Sequence, residues 1–133
     1  MYRVFDTKRH KWVKENVYLT PDDKLLKIKQ SAFGWLKVPL ELSEDRYIYH
    51  NDINLYDKNN ILVYEGDIVR ANTSENIEKI GLVCYAPELS SYIILCEDSN
   101  EFFTLGNEVC EFIEVIGNVF DGYKGKDYGE PAL

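Results

Sequence analysis

The sequence predicts a mainly β protein with minor α content, organised as two subdomains of which the second is a small closed barrel. Short runs of β-branched and aromatic residues recur along the chain, and residues that favour turns separate them. Ten tyrosines and an aromatic share of 14% strengthen this preference, because aromatic side chains suit a pleated, half-buried surface. With 133 residues, the chain is long enough to bury a core without disulfides.

The first half is predicted to begin with a hairpin, because an alternating run, a polar turn and a second apolar run follow one another. Residues 25–28 read equally well as a strand or as one helical turn. Residues 31–42 resist assignment, since Gly34 and Pro39 both oppose a long helix. The polar residues 50–54 are the predicted linker. The predicted extended runs of this half are 2–5, 12–13, 17–19 and 46–50.

The second half is organised around residues 57–70, which read as a turn, a short apolar run, a tight turn and a strand. Gly66 has no Cβ and allows the backbone to turn there. Residues 71–79 are a predicted polar loop, and Gly117 predicts a bend or bulge in the last strand. Strands about 8 to 12 residues apart favour a small barrel. The remaining predicted strands are 80–85, 92–96, 102–105 and 112–120.

These patterns predict three segments: a β-rich N-terminal subdomain at 1–50, a barrel at 51–121 and a tail at 122–133. The tail from Tyr123 onward has little apolar content and is predicted to fray unless a partner orders it.

Charge and cysteine content restrict the class of protein. Residues 1–46 hold ten Lys/Arg and seven Asp/Glu, a net +3, whereas residues 47–133 hold five and sixteen, a net −11. The second half would repel a nucleic-acid backbone. The chain shows no export signal and no long apolar run, so we expect a cytoplasmic protein that does not enter a membrane. Cys84, Cys96 and Cys110 are unpaired in sequence, which predicts reduced, buried thiols and no zinc site.

Three stretches resemble the YopX family of small bacteriophage and prophage proteins, the SPβ-type prophages of Bacillus among them. They are Tyr2-Arg3-Val4-Phe5-Asp6, the stretch from Asp57-Lys58-Asn59 through Tyr64-Glu65-Gly66-Asp67-Ile68-Val69, and Glu114-Val115-Ile116-Gly117-Asn118-Val119-Phe120. The resemblance implies a C-terminal SH3-type barrel after a smaller mixed subdomain, and a phage origin. It implies no activity.

The chain departs from the family pattern at four places. Phe5 stands where Trp is usual, and Asn54 and Asn60 stand where Gly is usual. Because Asn tolerates left-handed geometry better than other residues with a side chain, we expect those turns to survive. Asp121-Gly122-Tyr123 replaces the usual Asn-Pro, which leaves the path of the tail open.

The residues favour a structural motif over a catalytic one. Glu65 and Asp67 could form an acid–base or metal pair, but in a turn we expect Asp67 to accept backbone N–H groups and Glu65 to face water. We predict no catalytic residue, cofactor or metal, and therefore no enzyme. The predicted structural turn motif consists of Asp57, Asn60, Glu65, Gly66, Asp67, Gly117 and Asn118.

Three functions stay open at this stage. The first is a protein-interaction or assembly module that binds itself, as a homo-oligomer, or another phage or host protein through aromatic grooves. The second is a single-stranded nucleic-acid binder, and the third is an acidic decoy of a nucleic-acid-binding host protein. We favour the first and expect no nucleic acid as partner. The candidate interaction surface consists of Lys8, Arg9, Lys11, Trp12, Tyr18 and Trp35, to which the nucleic-acid hypothesis adds Lys14 and the lysines of 24–29.

Overall fold

The computed structural model describes residues 1–14, 17–30, 37–72, 78–96, 101–105 and 112–123. The chain divides into two compact units, Met1–His50 and Asn51–Leu133. The described residues form twelve strands and a short 3-10 helix at Pro87–Leu89, with no α-helix among them. The mainly β fold class is therefore confirmed. The minor α content and the mixed character predicted for the first unit do not occur in its described part, which contains only strands, turns and irregular segments.

The first unit contains β1 (Tyr2–Asp6), β2 (Lys11–Val13), β3 (Val17–Leu19), β4 (Leu25–Gln30), β5 (Lys37–Glu41) and the start of β6 (Tyr47–Tyr56). The predicted hairpin forms, since β1 pairs antiparallel with β2 and Phe5 lies opposite Trp12. Strands β3, β4 and β5 form a separate antiparallel sheet in that order. Residues 25–28 are therefore a strand and not a helical turn. Pro39 lies in the edge strand β5, where its missing N–H costs no ladder bond.

The core of the first unit joins its two sheets. Val4, Leu25 and Leu42 are buried, and half-buried apolar side chains surround them. The hydroxyl of Tyr2 donates to the carbonyl of Val17 and accepts the N–H of Leu19, both at 2.9 Å. The first strand of the chain is thereby tied to β3.

The predicted linker at residues 50–54 coincides with the boundary between the two units, which falls after His50, but these residues belong to β6 and not to an irregular segment. In the second unit the later part of β6 pairs with β7 (Leu62–Tyr64), and the register shifts between Asp52 and Tyr56. Asn54 takes a left-handed conformation with φ 60° at that shift. Backbone pairing therefore outweighs the turn preference of the polar residues, and the expectation that Asn54 would replace a glycine is confirmed.

The second unit continues with β8 (Asp67–Asn72), β9 (Glu78–Ala86), β10 (Ser91–Cys96), β11 (Phe102–Thr104) and β12 (Ile113–Asn118). They form an antiparallel sheet in the order β11-β10-β9-β8-β12. The predicted loop 71–79 is shorter than expected, because pairing of β8 with β9 continues to Asn72 opposite Glu78. Val63, Val69, Val83, Ile94 and Ile113 are fully buried in one cluster.

Gly122 and Tyr123, which were predicted to belong to the tail, are part of the folded second unit. Gly122 pairs with Asn118 in an isolated antiparallel bridge, and Tyr123 is only 8% exposed. The prediction that the chain frays from Tyr123 is therefore wrong, because the ring of this tyrosine is buried. Residues 124–133 lie outside the described residues.

Candidate functional site

The buried carboxylate of Asp57 organises the turn between β6 and β7. Its Oδ1 accepts the backbone N–H groups of Asn59 at 2.9 Å and Ile61 at 2.8 Å. Its Oδ2 accepts the N–H of Val115 in β12 at 2.9 Å. Asn60 has φ 63°, as its glycine-like place in the motif predicts. Asp57 thus closes its own turn and also attaches that turn to the last strand.

The tight turn between β7 and β8 has Gly66 at its centre, with φ 82°. The N–H of Gly66 donates to the carbonyl of Val83, and its own carbonyl accepts the N–H of Val119, both at 2.8 Å. Asp67 is 1% exposed, and its Oδ2 accepts the N–H of Tyr64 at 2.8 Å. The predicted turn, with the carboxylate of Asp67 as a backbone acceptor, is confirmed.

Replacing Gly66 with alanine should lower the free energy of unfolding by about 1 kcal/mol, because an L-residue is strained at positive φ. Urea unfolding measures the change. Glu88→Ala, on the exposed 3-10 helix, is the control and should shift stability by no more than about 0.5 kcal/mol. Equal midpoints for the parent and the Gly66 variant would contradict the turn geometry.

Glu65 does not face water alone, which corrects the sequence-based expectation. It is half-buried, and its Oε1 accepts the N–H of Asn51 at 3.2 Å while its own N–H donates to the Asn51 carbonyl at 3.0 Å. Glu65 therefore connects the tight turn to β6. The two carboxylates proposed as an acid–base pair each accept a backbone N–H.

The end of β12 is a third structural cluster. The pairing of β12 with β8 shifts register between Val115 and Gly117, which confirms the predicted bulge. A Cβ on Gly117 would lie 2.0 Å from the carbonyl oxygen of Gly122. The Oδ1 of Asn118 accepts the N–H groups of Phe120 at 3.0 Å and Asp121 at 2.9 Å. The residues of the predicted motif therefore hold turns and strand ends together.

Cys84 lacks the setting of a nucleophile. Its side chain is half-buried, and burial raises the pKa of its thiol, with a smaller contribution from the charge of Glu65. A reactive cysteine needs the opposite shift. Cys96 is buried, and Cys110 lies outside the described residues. In the described ranges, no group of three or more His, Cys, Asp or Glu side chains could hold a metal ion.

A recess of about 180 Å³ in the first unit, the basic recess, brings together part of the predicted interaction surface. Half-buried or buried aliphatic side chains of Val13, Val17 and Leu42 form its apolar lining. Exposed cationic side chains also line it, and Trp12 and Tyr47 add aromatic surface. The cations are Arg9, Lys11 and Lys27.

The structure separates the predicted surface residues into groups. Arg9, Lys11 and Trp12 line the basic recess, whereas Lys8 and Tyr18 are exposed and are not part of its lining. Trp35 lies outside the described residues. Sequence reasoning missed Tyr47 and Leu42 and had no reason to choose Lys27 among the lysines of β4 and its neighbourhood. Lys27 lies opposite Val17 in the pairing of β3 with β4, and this places Lys27 at the recess. The sequence alone does not show which strands pair, so it could not identify this lysine.

The cations of the two units differ in their partners. Arg9, Lys11 and Lys27 have no carboxylate within salt-bridge distance among the described residues. In the second unit each described cation is in an ion pair. Lys58 pairs with Glu114, Arg70 with Glu78 and Glu114, and Lys79 with Glu101. The charge of the basic recess is therefore available to a ligand.

An ion pair between Asp6 and Arg46 supports one side of the basic recess. Asp6 is buried, and its carboxylate accepts Nε and Nη2 of Arg46 at 2.9 and 2.8 Å. The hydrogen bond from Arg46 lowers the pKa of Asp6 from 3.8 to about 2, with further help from the N–H groups of Arg9 and Lys8. This stabilisation is therefore complete above about pH 4 and is lost only as the pH falls toward 2.

Trp12 is also held in place. The guanidinium carbon of Arg3 lies 4.6 Å from its ring centroid, and the ring of Phe5 meets it edge to face at 4.9 Å. Phe5 is 1% exposed and also contacts His10, at 5.1 Å between ring centroids. Phe5 is therefore a buried ring that contacts both Trp12 and His10 of this hairpin.

A larger recess of about 340 Å³ shares Tyr47 with the basic recess. Its lining includes Tyr49 and the exposed carboxylates of Asp23 and Glu44. The first unit thus has a basic and an acidic concavity close to one tyrosine.

His50 should give the first unit a pH-dependent stability. Burial, with a smaller effect of the charge on Arg3, lowers the pKa of His50 from 6.5 to about 4. Because the unfolded chain binds the proton first, the stabilisation is complete above pH 6.5 and is lost as the pH falls to 4. Over that range the parent should lose about 2 kcal/mol more unfolding free energy than His50→Gln. Urea unfolding at several pH values tests this, and a constant difference between the two proteins would contradict it.

Comparison with known proteins identifies the family. A profile of the YopX family, described as YopX protein, matches residues 1–122. The crystal structure of protein yopX from Bacillus subtilis has a TM-score of 0.59 and 14% identity, and the match covers 90% of this chain and 91% of that one. A crystal structure of an Enterococcus faecalis protein has a TM-score of 0.48 and 22% identity, covering 90% and 92%. No curated protein matches the chain.

Among the described residues, no helix is both long and apolar enough to cross a membrane. The likeness to the Bacillus subtilis structure extends over most of both chains and shows a shared fold. The family profile extends from Met1 through the bulged strand to Gly122, and so includes all three motifs noted in the sequence. The chain belongs to the YopX family.

Proposed function

We propose that the chain is a non-catalytic protein-interaction or assembly module whose first unit binds an acidic segment of a partner protein. The observation that supports this is the basic recess, whose lining combines aliphatic and aromatic side chains with three cations that have no carboxylate partner among the described residues. The one carboxylate in the lining, that of Asp6, is paired with Arg46. Complementary charge steers association and selects the partner. We place the protein in a bacterial cytoplasm and regard it as a phage or prophage product, as the sequence suggests.

Charge reversal in the basic recess tests the proposal. The double variant Lys11→Glu with Lys27→Glu should bind a short, fluorescently labelled Glu/Asp-rich peptide containing one Phe at least about tenfold more weakly than the parent. The loss should shrink as salt is raised, because exposed charges are screened. Lys8→Glu is the matched control, since Lys8 is exposed on the same hairpin but is not part of the recess lining. Equal effects of both changes would contradict the proposal.

A labelled single-stranded oligonucleotide of the same charge belongs in the same titration. Tighter binding of the oligonucleotide than of the peptide would favour the nucleic-acid alternative. The acidic second half of another copy is also a possible partner, since residues 47–133 carry a net −11. Light scattering after size exclusion, at low and high salt, tests this. A monomer in both buffers would exclude self-association and leave an acidic partner protein as the proposed ligand.

The five-stranded sheet of the second unit supports the proposed SH3-type barrel. Strands β8 to β11 follow one another as antiparallel neighbours, and β12 returns beside β8 with a bulge that bends it. Ile68 and Val69 are consecutive in β8 and are both 0% exposed, so both faces of that strand are covered. An open sheet with one wet face would expose one of them. A crystal structure with an open sheet would overturn the barrel.

A further inference from the structure

We infer that the basic recess binds one ring-sized apolar side chain of the acidic partner, an anchor whose acidic neighbours in the partner sequence meet Arg9, Lys11 and Lys27. This inference rests on the proposed function and adds the identity of the residue that enters the recess. In this arrangement the anchor side chain contacts Val13, Val17 and Leu42. It predicts a partner segment of the form acidic–apolar–acidic.

The size of the recess selects a single side chain. Its volume is about 180 Å³, and a cavity of about 150 Å³ is enough to hold benzene. Pockets for cofactors and drug-sized ligands begin at about 300 Å³, so the basic recess is too small for them. A Phe, Leu or Met side chain matches this space, and a peptide backbone does not need to enter it.

The chemistry of the lining suits an apolar side chain that has acidic neighbours. Val13, Val17 and Leu42 offer aliphatic contact. Arg9, Lys11 and Lys27 offer hydrogen-bond donors to carboxylates. Both oxygens of Asp6, which also lines the recess, already accept hydrogen bonds from Arg46 and from backbone N–H groups. An apolar side chain has no polar atom to satisfy and gains from leaving water.

The walls of the recess are fixed before a ligand arrives. Arg46 holds Asp6 with two parallel hydrogen bonds, a geometry that orders both side chains. Trp12 is held between Arg3 and Phe5. A pre-organised site loses less entropy on binding, so even one small anchor can contribute measurable affinity.

A series of acidic peptides that differ only in the central residue, Ala, Leu or Phe, tests the inference with the full chain by fluorescence anisotropy. We expect the Phe and Leu peptides to bind at least about tenfold more tightly than the Ala peptide at the same salt concentration. The variant Val17→Phe, which fills the recess, should remove the difference between the peptides while binding that depends on charge persists. Tyr18→Phe, outside the recess, should leave the series unchanged.

The outcomes separate this inference from the function on which it rests. If all three peptides bind equally and the charge reversal still weakens them, the anchor is overturned and the acidic-partner function stands. If no peptide binds even at low salt, the proposed function fails and the anchor fails with it. If Val17→Phe does not fold, as judged by near-UV circular dichroism, the peptide series on the parent protein still decides.

Discussion

Replacing Gly117 with alanine should destabilise the second unit by about 3 kcal/mol or more. The new Cβ would lie 2.0 Å from the carbonyl oxygen of Gly122 and 2.8 Å from the Cβ of Tyr123. The atom it meets first belongs to the backbone, which cannot rotate away as a side chain can. Either the bridge between Asn118 and Gly122 opens or the bulge of β12 shifts, and both lose packing around the buried Tyr123.

Urea unfolding followed by circular dichroism measures the loss. Gly66→Ala makes the same chemical change at a site of strained φ, so its smaller expected cost of about 1 kcal/mol is the comparison. The ratio of the two effects is informative because it separates steric exclusion at Gly117 from backbone strain at Gly66. If the Gly117 variant is as stable as the parent, the close contact of the bulge with Gly122 does not exist in solution.

Replacing Asp57 with alanine should lower the free energy of unfolding by about 3 kcal/mol or more. The change leaves three backbone N–H groups without their acceptor, those of Asn59, Ile61 and Val115. Each buried donor left unsatisfied costs about 1–3 kcal/mol, although water entering the turn would recover part of this. Asp57→Asn should cost less than alanine, because its remaining oxygen can take the place of Oδ1, and the amide group then faces only the N–H of Val115.

Hydrogen exchange at the N–H of Val115 gives a residue-specific reading of this prediction. In Asp57→Ala its protection should fall more than that of neighbouring amides that pair with β8. Asp121→Ala is the matched control, because Asp121 is exposed and its carboxylate accepts a side-chain hydrogen bond from Asn118. A loss in the control as large as that in the Asp57 variant would show that the effect is not specific to the buried acceptor.

Local chemistry made the central motif predictable from the sequence. Gly66 is found at positive φ, Asp67 accepts a backbone N–H across its turn, and Asn54 and Asn60 adopt left-handed geometry in place of glycine. Each of these outcomes depends on residues within three positions of one another. The bulge at Gly117 was predictable for the same reason, since a glycine inside an apolar strand indicates a bend or a close approach.

Features that depend on long-range pairing were not predictable. The turn of Asp57 could be foreseen, but its bond to Val115 required the position of β12. Residues 50–54 contain breaker residues and still form a strand, because pairing with β7 offsets their local preference. The side chains that line the basic recess come from separate strands. Nothing in the sequence therefore distinguishes Lys27 and Tyr47 from the other lysines and tyrosines.

The links from the two central turns to the end of the chain also determine when the second unit can fold. Asp57 needs Val115 in β12, and the carbonyl of Gly66 needs the N–H of Val119, the residue after β12. Both turns are therefore complete only when the chain has been synthesised as far as Val119. Contacts this distant in sequence slow folding. On the ribosome, β8 would therefore keep one edge unpaired until β12 has been made, and a chain stopped before residue 113 should aggregate rather than fold.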